Sequence, residues 1–148
     1  MGELKPLDPD FETRVRRSFA RQAFMHTLNV ELVHLAPGEV DLAMPHRPEF
    51  TQQHGYFHAG ATATIADTAA GYAALSLFPR GTGVLTVEFK INLLRPAEGE
   101  RLIARGRVIK PGRTLTICRS EVYGVRGGRE AHVATALLSM FCVEGLDD

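Results

Sequence analysis

The fold of this chain is decided by residues 50–78, which read FTQQHGYFHAGATATIADTAAGYAALSLF. From His58 to Leu77 the segment consists largely of alanine, glycine and other small residues, and apolar side chains occupy every face of a helix. A helix that is apolar all round belongs in a core, and one this slim lets other backbone approach closely. Pro79 and Gly81 end it. We therefore predict a central helix that the rest of the chain surrounds.

One carboxylate, Asp67, lies inside this apolar helix. No cation is found three or four residues away, where the neighbours are Ala63, Thr64, Ala70 and Gly71. Burying an unpaired charge is costly, and strongly perturbed carboxylates cluster at functional sites. We therefore predict that Asp67 is catalytic, either as a nucleophile or as the base that activates water.

The start of the helix offers a second group of polar atoms. His58 opens the helix, and the backbone amides of Ala59 and Gly60 are expected to be unpaired donors at the positive end of the helix dipole. Such donors form an oxyanion hole for a thioester carbonyl. In the preceding loop, Gln52 is a candidate for binding that carbonyl or orienting water. For His58 a cap or a packed residue is the alternative to proton transfer.

The spacing of these groups constrains the site. His58 and Asp67 are nine residues apart, which is roughly 13 Å of helical rise and about half a turn out of phase. They cannot meet in one site within one chain. If both ends of the helix act on one thioester, two chains supply them, and the site lies across a dimer interface.

The N-terminal part of the chain is expected to lie outside the sheet. Residues 1–9 carry two prolines and predict a loose arm, and Asp10 begins a predicted helix over residues 10–24. Apolar residues recur along this helix at every fourth position and predict one buried stripe. Its arginines are expected on a solvated face; they are Arg14, Arg16, Arg17 and Arg21.

Alternation with period two predicts strands in the rest of the chain. A hairpin over residues 28–44 turns at Pro37-Gly38, and further strands follow the central helix as an antiparallel meander. These later strands cover residues 84–94, 100–110, 114–123 and 131–143. The order predicts an α+β domain in which an antiparallel sheet of about six strands wraps around one long helix. A second copy of the chain is expected to cover the remaining face of the helix.

The whole chain is typical of one ordinary globular domain over residues 1–148. Its net charge is zero, which gives no support for nucleic acid or an anionic membrane as the main partner. The N-terminus lacks the pattern of a signal peptide, so we expect a cytoplasmic protein. The two cysteines, Cys118 and Cys142, are expected to be reduced and buried, and the histidines show no spacing for metal ligands.

The central segment resembles the signature of hotdog-fold acyl-CoA thioesterases. The closest type is the PaaI-like thioesterases of phenylacetate degradation, related to the 4-hydroxybenzoyl-CoA thioesterases. The motif reads Gln52-x2-Gly55-x2-His58-Ala59-Gly60, then Ala66-Asp67-Thr68-Ala69. The resemblance covers about residues 25–143. It implies a hotdog fold, hydrolysis of an aryl- or medium-chain acyl-CoA to free acid and CoA, no cofactor beyond that CoA, and a homodimer that pairs again into a tetramer.

The resemblance also assigns roles to individual residues. It implies that Gln52 orients carbonyl or water, that Asp67 is nucleophile or general base, and that the Ala59 amide polarises the carbonyl. Thr86 matches a Ser or Thr that assists water in some members. Ala59 departs from the family, which commonly has glycine there. The backbone N–H survives this change, and the added methyl group narrows the acyl pocket.

By the same resemblance, coenzyme A lies over strand ends and turns. The implied contacts are Leu94, Arg95, Pro96, Lys110, Pro111, Gly112, Arg113 and Thr114. Lys110 and Arg113 would bind phosphate groups. As turn residues alone they would be solvated charges.

Two other functions stay open at this point. A hotdog dehydratase or hydratase also uses a histidine and an acid, although the arrangement from Gln52 to Gly60 fits a hydrolase better. A non-catalytic module would bind acyl-CoA without turnover, and the intact Asp67 argues against it.

Overall fold

The computed structural model describes residues 4–146. Within that range the elements are α1 (Phe11–Arg21), α2 (Ala23–Thr27), β1 (Glu31–Ala36), β2 (Glu39–Pro45), a 3-10 turn (Pro48–Phe50), α3 (Ala59–Leu75), β3 (Thr82–Leu93), β4 (Arg101–Lys110), β5 (Leu115–Arg126) and β6 (Arg129–Glu144). The strands form one antiparallel sheet in the order β1-β2-β4-β5-β6-β3. The sheet packs around α3, which contacts every strand from β2 to β6. The predicted α+β architecture of a hotdog fold is confirmed.

The small residues of α3 set how closely the sheet approaches the helix. A Cβ atom placed on Gly106 of β4 would lie 2.3 Å from the carbonyl oxygen of Ala69 and 2.6 Å from the backbone nitrogen of Ala70. Both alanines are fully buried. No larger residue fits at this contact, because interiors are close-packed and backbone cannot move aside without cost. The close backbone approach expected of a slim helix is therefore present.

The prediction of one meander after the helix is wrong for β3. Strands β4, β5 and β6 follow one another, but β3 pairs with β6 rather than with β4. Among the described strands, β3 therefore lies at an edge of the sheet. Four apolar side chains on it are about half exposed, namely Leu85, Val87, Phe89 and Leu93. An exposed apolar edge is a surface on which another chain can pair.

The prediction of a loose N-terminal arm is wrong for residues 4–9, while residues 1–3 lie outside the described part of the chain. Leu4 packs against the core, and Asp8 is only 2% exposed. The predicted helix over residues 10–24 is divided at Gln22, whose extended backbone separates α1 from α2. The arm and α1 thus belong to the folded body.

The prediction of a solvated arginine face is wrong for Arg14, which is 4% exposed. Its guanidinium group donates to the carbonyl oxygens of Leu75 (2.9 Å), Phe78 (2.8 Å) and Pro79 (2.7 Å). The same group lies 3.6 Å from the carboxylate of Asp8. The last carbonyls of a helix have no partner within it. Arg14 supplies partners at the end of α3 and so fixes α1 against the central helix.

The core lies between α3 and the inner face of the sheet. Leu42, Leu102 and Met140 are fully buried there.

Cys118 and Cys142 are free thiols, the first buried and the second half-buried. Burial raises the pKa of Cys118 to about 12. Among residues 4–146, no helix combines the length and apolar character that crossing a membrane requires.

Candidate active site

Asp67 lies half-buried on α3, in the wall of a cavity of about 430 Å³ between α1, α3 and β3. The hydroxyl of Thr86, on β3, donates a hydrogen bond of 2.7 Å to Asp67 Oδ1. None of the ion pairs among the described residues includes Asp67. The structure thus brings Asp67 and Thr86 together.

The pKa of Asp67 is raised above its ordinary value of 3.8 because burial disfavours the charged form. The hydrogen bond from Thr86 acts in the opposite direction and lowers the pKa in part. A carboxylate with a raised pKa is a stronger base than an exposed one once it is ionised. Thr86 also presents its hydroxyl beside the carboxylate, where water can lie.

At the start of α3, His58 is the N-cap residue and Ala59 is the first helical residue. The N–H of Gly60 donates to His58 Nδ1 at 2.8 Å, so the expectation of two unpaired amides is wrong for Gly60. The described residues place no acceptor at the Ala59 N–H. Because Nδ1 accepts a hydrogen bond, a neutral His58 carries its proton on Nε2. The helix start therefore presents the Ala59 amide.

Gln52 lies half-buried in the loop before α3. Its side-chain oxygen accepts a hydrogen bond from the backbone N–H of His54, which leaves the amide NH₂ group to donate. Backbone hydrogen bonds from Gln52 N to Tyr56 O (2.9 Å) and from His58 N to Phe50 O (2.8 Å) close the loop. The loop thus fixes Gln52 near the helix start as a donor.

Within one chain, the polar groups at the start of α3 lie too far from Asp67 to act with it on one substrate carbon. Asp67 is eight residues beyond Ala59 on the same helix, which corresponds to about 12 Å of rise. Gln52, His58 and Ala59 lie at the start of α3, whereas Asp67 and Thr86 lie at its middle. The separation expected from the sequence is therefore present in the fold.

The two segments implied to bind CoA also lie apart. Residues 94–96 follow β3 near the helix start, where the Phe57 N–H donates to the Ala97 carbonyl at 2.8 Å. The turn at residues 110–114 lies near the other end of α3. There Pro111 and Arg113 line a cavity of about 450 Å³ together with Leu77.

Sequence reasoning missed three side chains that line the cavity with Asp67. They are Ser18 and Gln22 on or next to α1, and Tyr72 on α3. The N-terminal helix had no expected role in the site, because its position over α3 depends on contacts far apart in sequence. A local signal was present: Tyr72 is the one large polar side chain among the alanines of α3.

A curled antiparallel sheet around one slim helix, with a single carboxylate at its middle, places the protein in the hotdog class. The model of the Thioesterase superfamily matches residues 54–131, which is more than half of the chain. The chain belongs to this superfamily.

Similar proteins agree with this assignment. A crystal structure of a thioesterase family protein from Silicibacter pomeroyi is 48% identical, with a TM-score of 0.90, and the match covers 91% of this chain and 99% of that one. Escherichia coli PaaI, from the phenylacetic acid degradation operon, shares the fold at 21% identity, with a TM-score of 0.82 and coverage of 94% and 97%. Human acyl-coenzyme A thioesterase 13 is 36% identical over 87 residues, which are 58% of this chain.

The matches to curated relatives are partial. The chain spans 61% of the length of the human thioesterase and 66% of the relatives from Halobacterium salinarum and Saccharolobus solfataricus.

Proposed function

We propose that this protein hydrolyses an acyl-CoA thioester, of an aryl or medium-chain acyl group, at a site assembled from two copies of the chain. The observation that carries the proposal is Asp67, a half-buried carboxylate of raised pKa held by one hydroxyl in the wall of a cavity. A half-buried acid that forms no ion pair with any residue in the described part of the chain, in a member of the Thioesterase superfamily, is best explained by a catalytic role.

Asp67 acts on the thioester in one of two ways. As a general base it takes a proton from water while the water oxygen attacks the thioester carbon. As a nucleophile it attacks that carbon itself and forms a mixed anhydride that water then cleaves. In both routes the C–S bond breaks, CoA leaves as a thiolate that takes up a proton, and the acyl group leaves as a carboxylic acid. Both routes require the ionised carboxylate.

Ala59 and Gln52 stabilise the negative charge that forms on the thioester oxygen. The Ala59 N–H lies at the first turn of α3, where the helix dipole favours negative charge. The NH₂ group of Gln52 is a second donor, because its oxygen is held by the His54 N–H. Removing one such donor from an oxyanion hole typically costs about 10² to 10³ in kcat.

Two copies of the chain are needed because Asp67 and Ala59 are about 12 Å apart along one helix. A reacting carbon must lie within roughly 3 to 3.5 Å of the attacking atom. A two-fold dimer brings the Asp67 of each chain to the helix start of the other. The exposed apolar edge of β3 supports this arrangement, since pairing β3 with its copy covers Val87, Phe89 and Leu93.

In the same dimer, residues 94–96 of one chain and residues 110–114 of the other approach the same CoA molecule. Arg95 from one chain and Lys110 and Arg113 from the other offer charges for the phosphate groups of CoA. The further pairing of dimers into a tetramer stays a prediction.

The experiment is a screen of acyl-CoA esters with a thiol-reactive dye, run on wild type and on Asp67→Asn. Release of CoA thiol by wild type, and its loss in the folded variant, supports the proposal. Hydration of an enoyl-CoA without thiol release would indicate a hydratase instead. Saturable binding of every ester without turnover would indicate a binding module.

The shared site is tested by mixing two inactive variants. Gln52→Ala and Asp67→Ala are co-refolded, so that random pairing makes about half of the dimers mixed, each with one intact site of two. About a quarter of wild-type activity returns if two chains build each site. No recovery, with mixed dimers confirmed by mass spectrometry, would mean that each site is built within one chain.

A further inference from the structure

The cavity at the far end of α3 has an N-terminal wall that the proposed function does not use. This cavity, of about 450 Å³, lies between residues 4–7, the residues that follow α3 and the turn between β4 and β5. Its wall is mostly apolar and includes Leu7, Phe78 and Pro111. Phe78 is buried, whereas Leu7 is 70% exposed. Cavities of this size bind small organic ligands, whose apolar parts contact such walls.

Three cations surround this cavity. Lys5 and Arg113 line it, and Lys110 begins the turn that forms one of its walls. All three side chains are exposed, and none of the ion pairs among the described residues includes them. No acidic side chain from residues 4–146 lines the cavity. Cations that no carboxylate neutralises favour an anionic ligand.

The segment that carries Lys5 is held in place on both sides. The N–H of Leu7 donates to the carbonyl oxygen of Leu77 at 3.3 Å. Leu4 packs so closely over Gly38 that a Cβ atom placed there would lie 2.5 Å from the Leu4 side chain. The backbone of Lys5 is therefore fixed before a ligand binds, which lowers the entropic cost of binding.

The position of the cavity relative to Asp67 matches the length of CoA. α3 ends at Leu75, eight residues beyond Asp67, which corresponds to about 12 Å of helical rise, and Leu77 in the cavity wall follows directly. The pantetheine arm of CoA joins its sulfur to its pyrophosphate through about a dozen bonds, which span about 14 Å when extended. An ester that reacts at Asp67 therefore reaches this cavity with its nucleotide end.

We propose that this cavity binds the adenosine end of CoA, with the adenine ring against Leu7 and Phe78, and that Lys5 joins the two cations of the turn as a third partner for the phosphate groups. This inference rests on the proposed function, because it takes a CoA ester as the ligand. The nucleotide end of CoA combines a flat ring with several negative charges, which matches an apolar wall beside unpaired cations. Lys5 is a binding residue in this arrangement and takes no part in the chemistry.

The kinetic test uses one acyl group, the best of the ester screen, as its CoA ester and as its pantetheine ester, which lacks the nucleotide. In Lys5→Gln the ratio of kcat/KM for the CoA ester to kcat/KM for the pantetheine ester should fall about threefold to fivefold, as expected for one exposed ion pair. The change lies in KM, because this contact is the same in the ground state and the transition state. The matched control is Arg129→Gln, which removes an exposed charge at the opposite end of β5 and should leave the ratio in place.

Binding is measured by calorimetry, so that the inference does not depend on turnover. The ligands are CoA, pantetheine and adenosine bisphosphate, and the proteins are wild type, Lys5→Gln and Leu7→Ser; Leu7 is exposed enough for serine to be tolerated. Weaker binding of CoA and of adenosine bisphosphate in both variants, with pantetheine binding unchanged, supports the inference even if wild type releases no thiol and the proposed function fails.

Other results of the same measurements would overturn the inference. Unchanged CoA affinity in both variants would do so while leaving thioester hydrolysis intact. Equal losses for CoA and pantetheine would show that residues 4–7 have only a structural role. Adenosine bisphosphate that binds together with CoA, rather than displacing it, would assign the cavity to a separate nucleotide.

Discussion

Replacing Arg14 by methionine is expected to destabilise the protein far more than replacing Arg16, which lies two residues further along α1. The two arginines share a helix and a charge but differ in burial. The Arg14 side chain is 5% exposed and bonds three carbonyl oxygens at the end of α3. The Arg16 side chain is 53% exposed and pairs with Glu12, one turn away.

The expected loss in the free energy of unfolding depends on which buried groups lose their partners in each variant. Removing one partner of a buried ion pair costs about 3 to 5 kcal/mol. Asp8 keeps partners in Arg80 and the Asp10 N–H, so we take the lower end, about 3 kcal/mol, for Arg14→Met. In a chain of this size that corresponds to a fall of about 6 to 12 °C in Tm. An exposed pair such as Arg16–Glu12 is worth no more than about 0.5 kcal/mol.

The assay is thermal and urea denaturation of wild type, Arg14→Met and Arg16→Met at equal protein concentration. Burial alone would raise the pKa of Asp8, but the Asp10 N–H and the charges of Arg80 and Arg14 outweigh it and lower that pKa below 3.8. The stability from this pair is therefore present above pH 3.8 and is lost as the pH falls through the depressed pKa. Equal stability of the two variants at neutral pH would refute the role of Arg14 in holding α1 to α3.

Three further predictions concern the site. Asp67→Asn is expected to lower kcat by at least about a hundredfold, since general-base catalysis supplies about 10² to 10⁴; near-normal turnover by the folded variant would remove Asp67 from the mechanism. Gln52→Ala should lower kcat strongly while changing Tm little, because the Gln52 side chain is only half-buried and lies outside the hydrophobic core; a large fall in Tm with full activity per folded molecule would make Gln52 structural. Thr86→Val removes the bond that lowers the pKa of Asp67, so the acidic limb of the kcat/KM profile should move to higher pH. Thr135→Val, which removes a hydroxyl bonded to Glu121, should leave that limb in place.

The central helix and its carboxylate were predictable because their signals are local. Alanine and glycine on every face of a helix indicate burial whatever surrounds it. Asp67 stood out because a charge in that setting needs a reason. The distance between Asp67 and the helix start also followed from helical rise alone, before any tertiary contact was known.

The position of β3 and the burial of Arg14 could not be predicted in the same way. Alternation shows that β3 is a strand, but its pairing with β6 joins segments about fifty residues apart. Arg14 looks like its exposed neighbours until the end of α3, 61 residues away in sequence, supplies the carbonyl oxygen of Leu75. The capping of the Gly60 amide by His58 depends on a side-chain rotamer that composition does not reveal. Each of these features depends either on contacts between segments far apart in sequence or on a side-chain rotamer, and neither can be read from local sequence.

Asp67 is a residue that the fold tolerates at a cost. Its pKa is raised by burial, so the folded state prefers the protonated carboxyl, and this preference is lost as the pH rises through the folded pKa. Above the ordinary pKa of an aspartate, the raised pKa of Asp67 therefore lowers the stability of the folded state, and the hydrogen bond from Thr86 offsets only part of that effect. Asparagine would fill the same space without a charge. The other residues of α3 are small, so that the sheet and a substrate can both approach the helix closely. An aspartate at this position is therefore explained by its reactivity rather than by a contribution to stability.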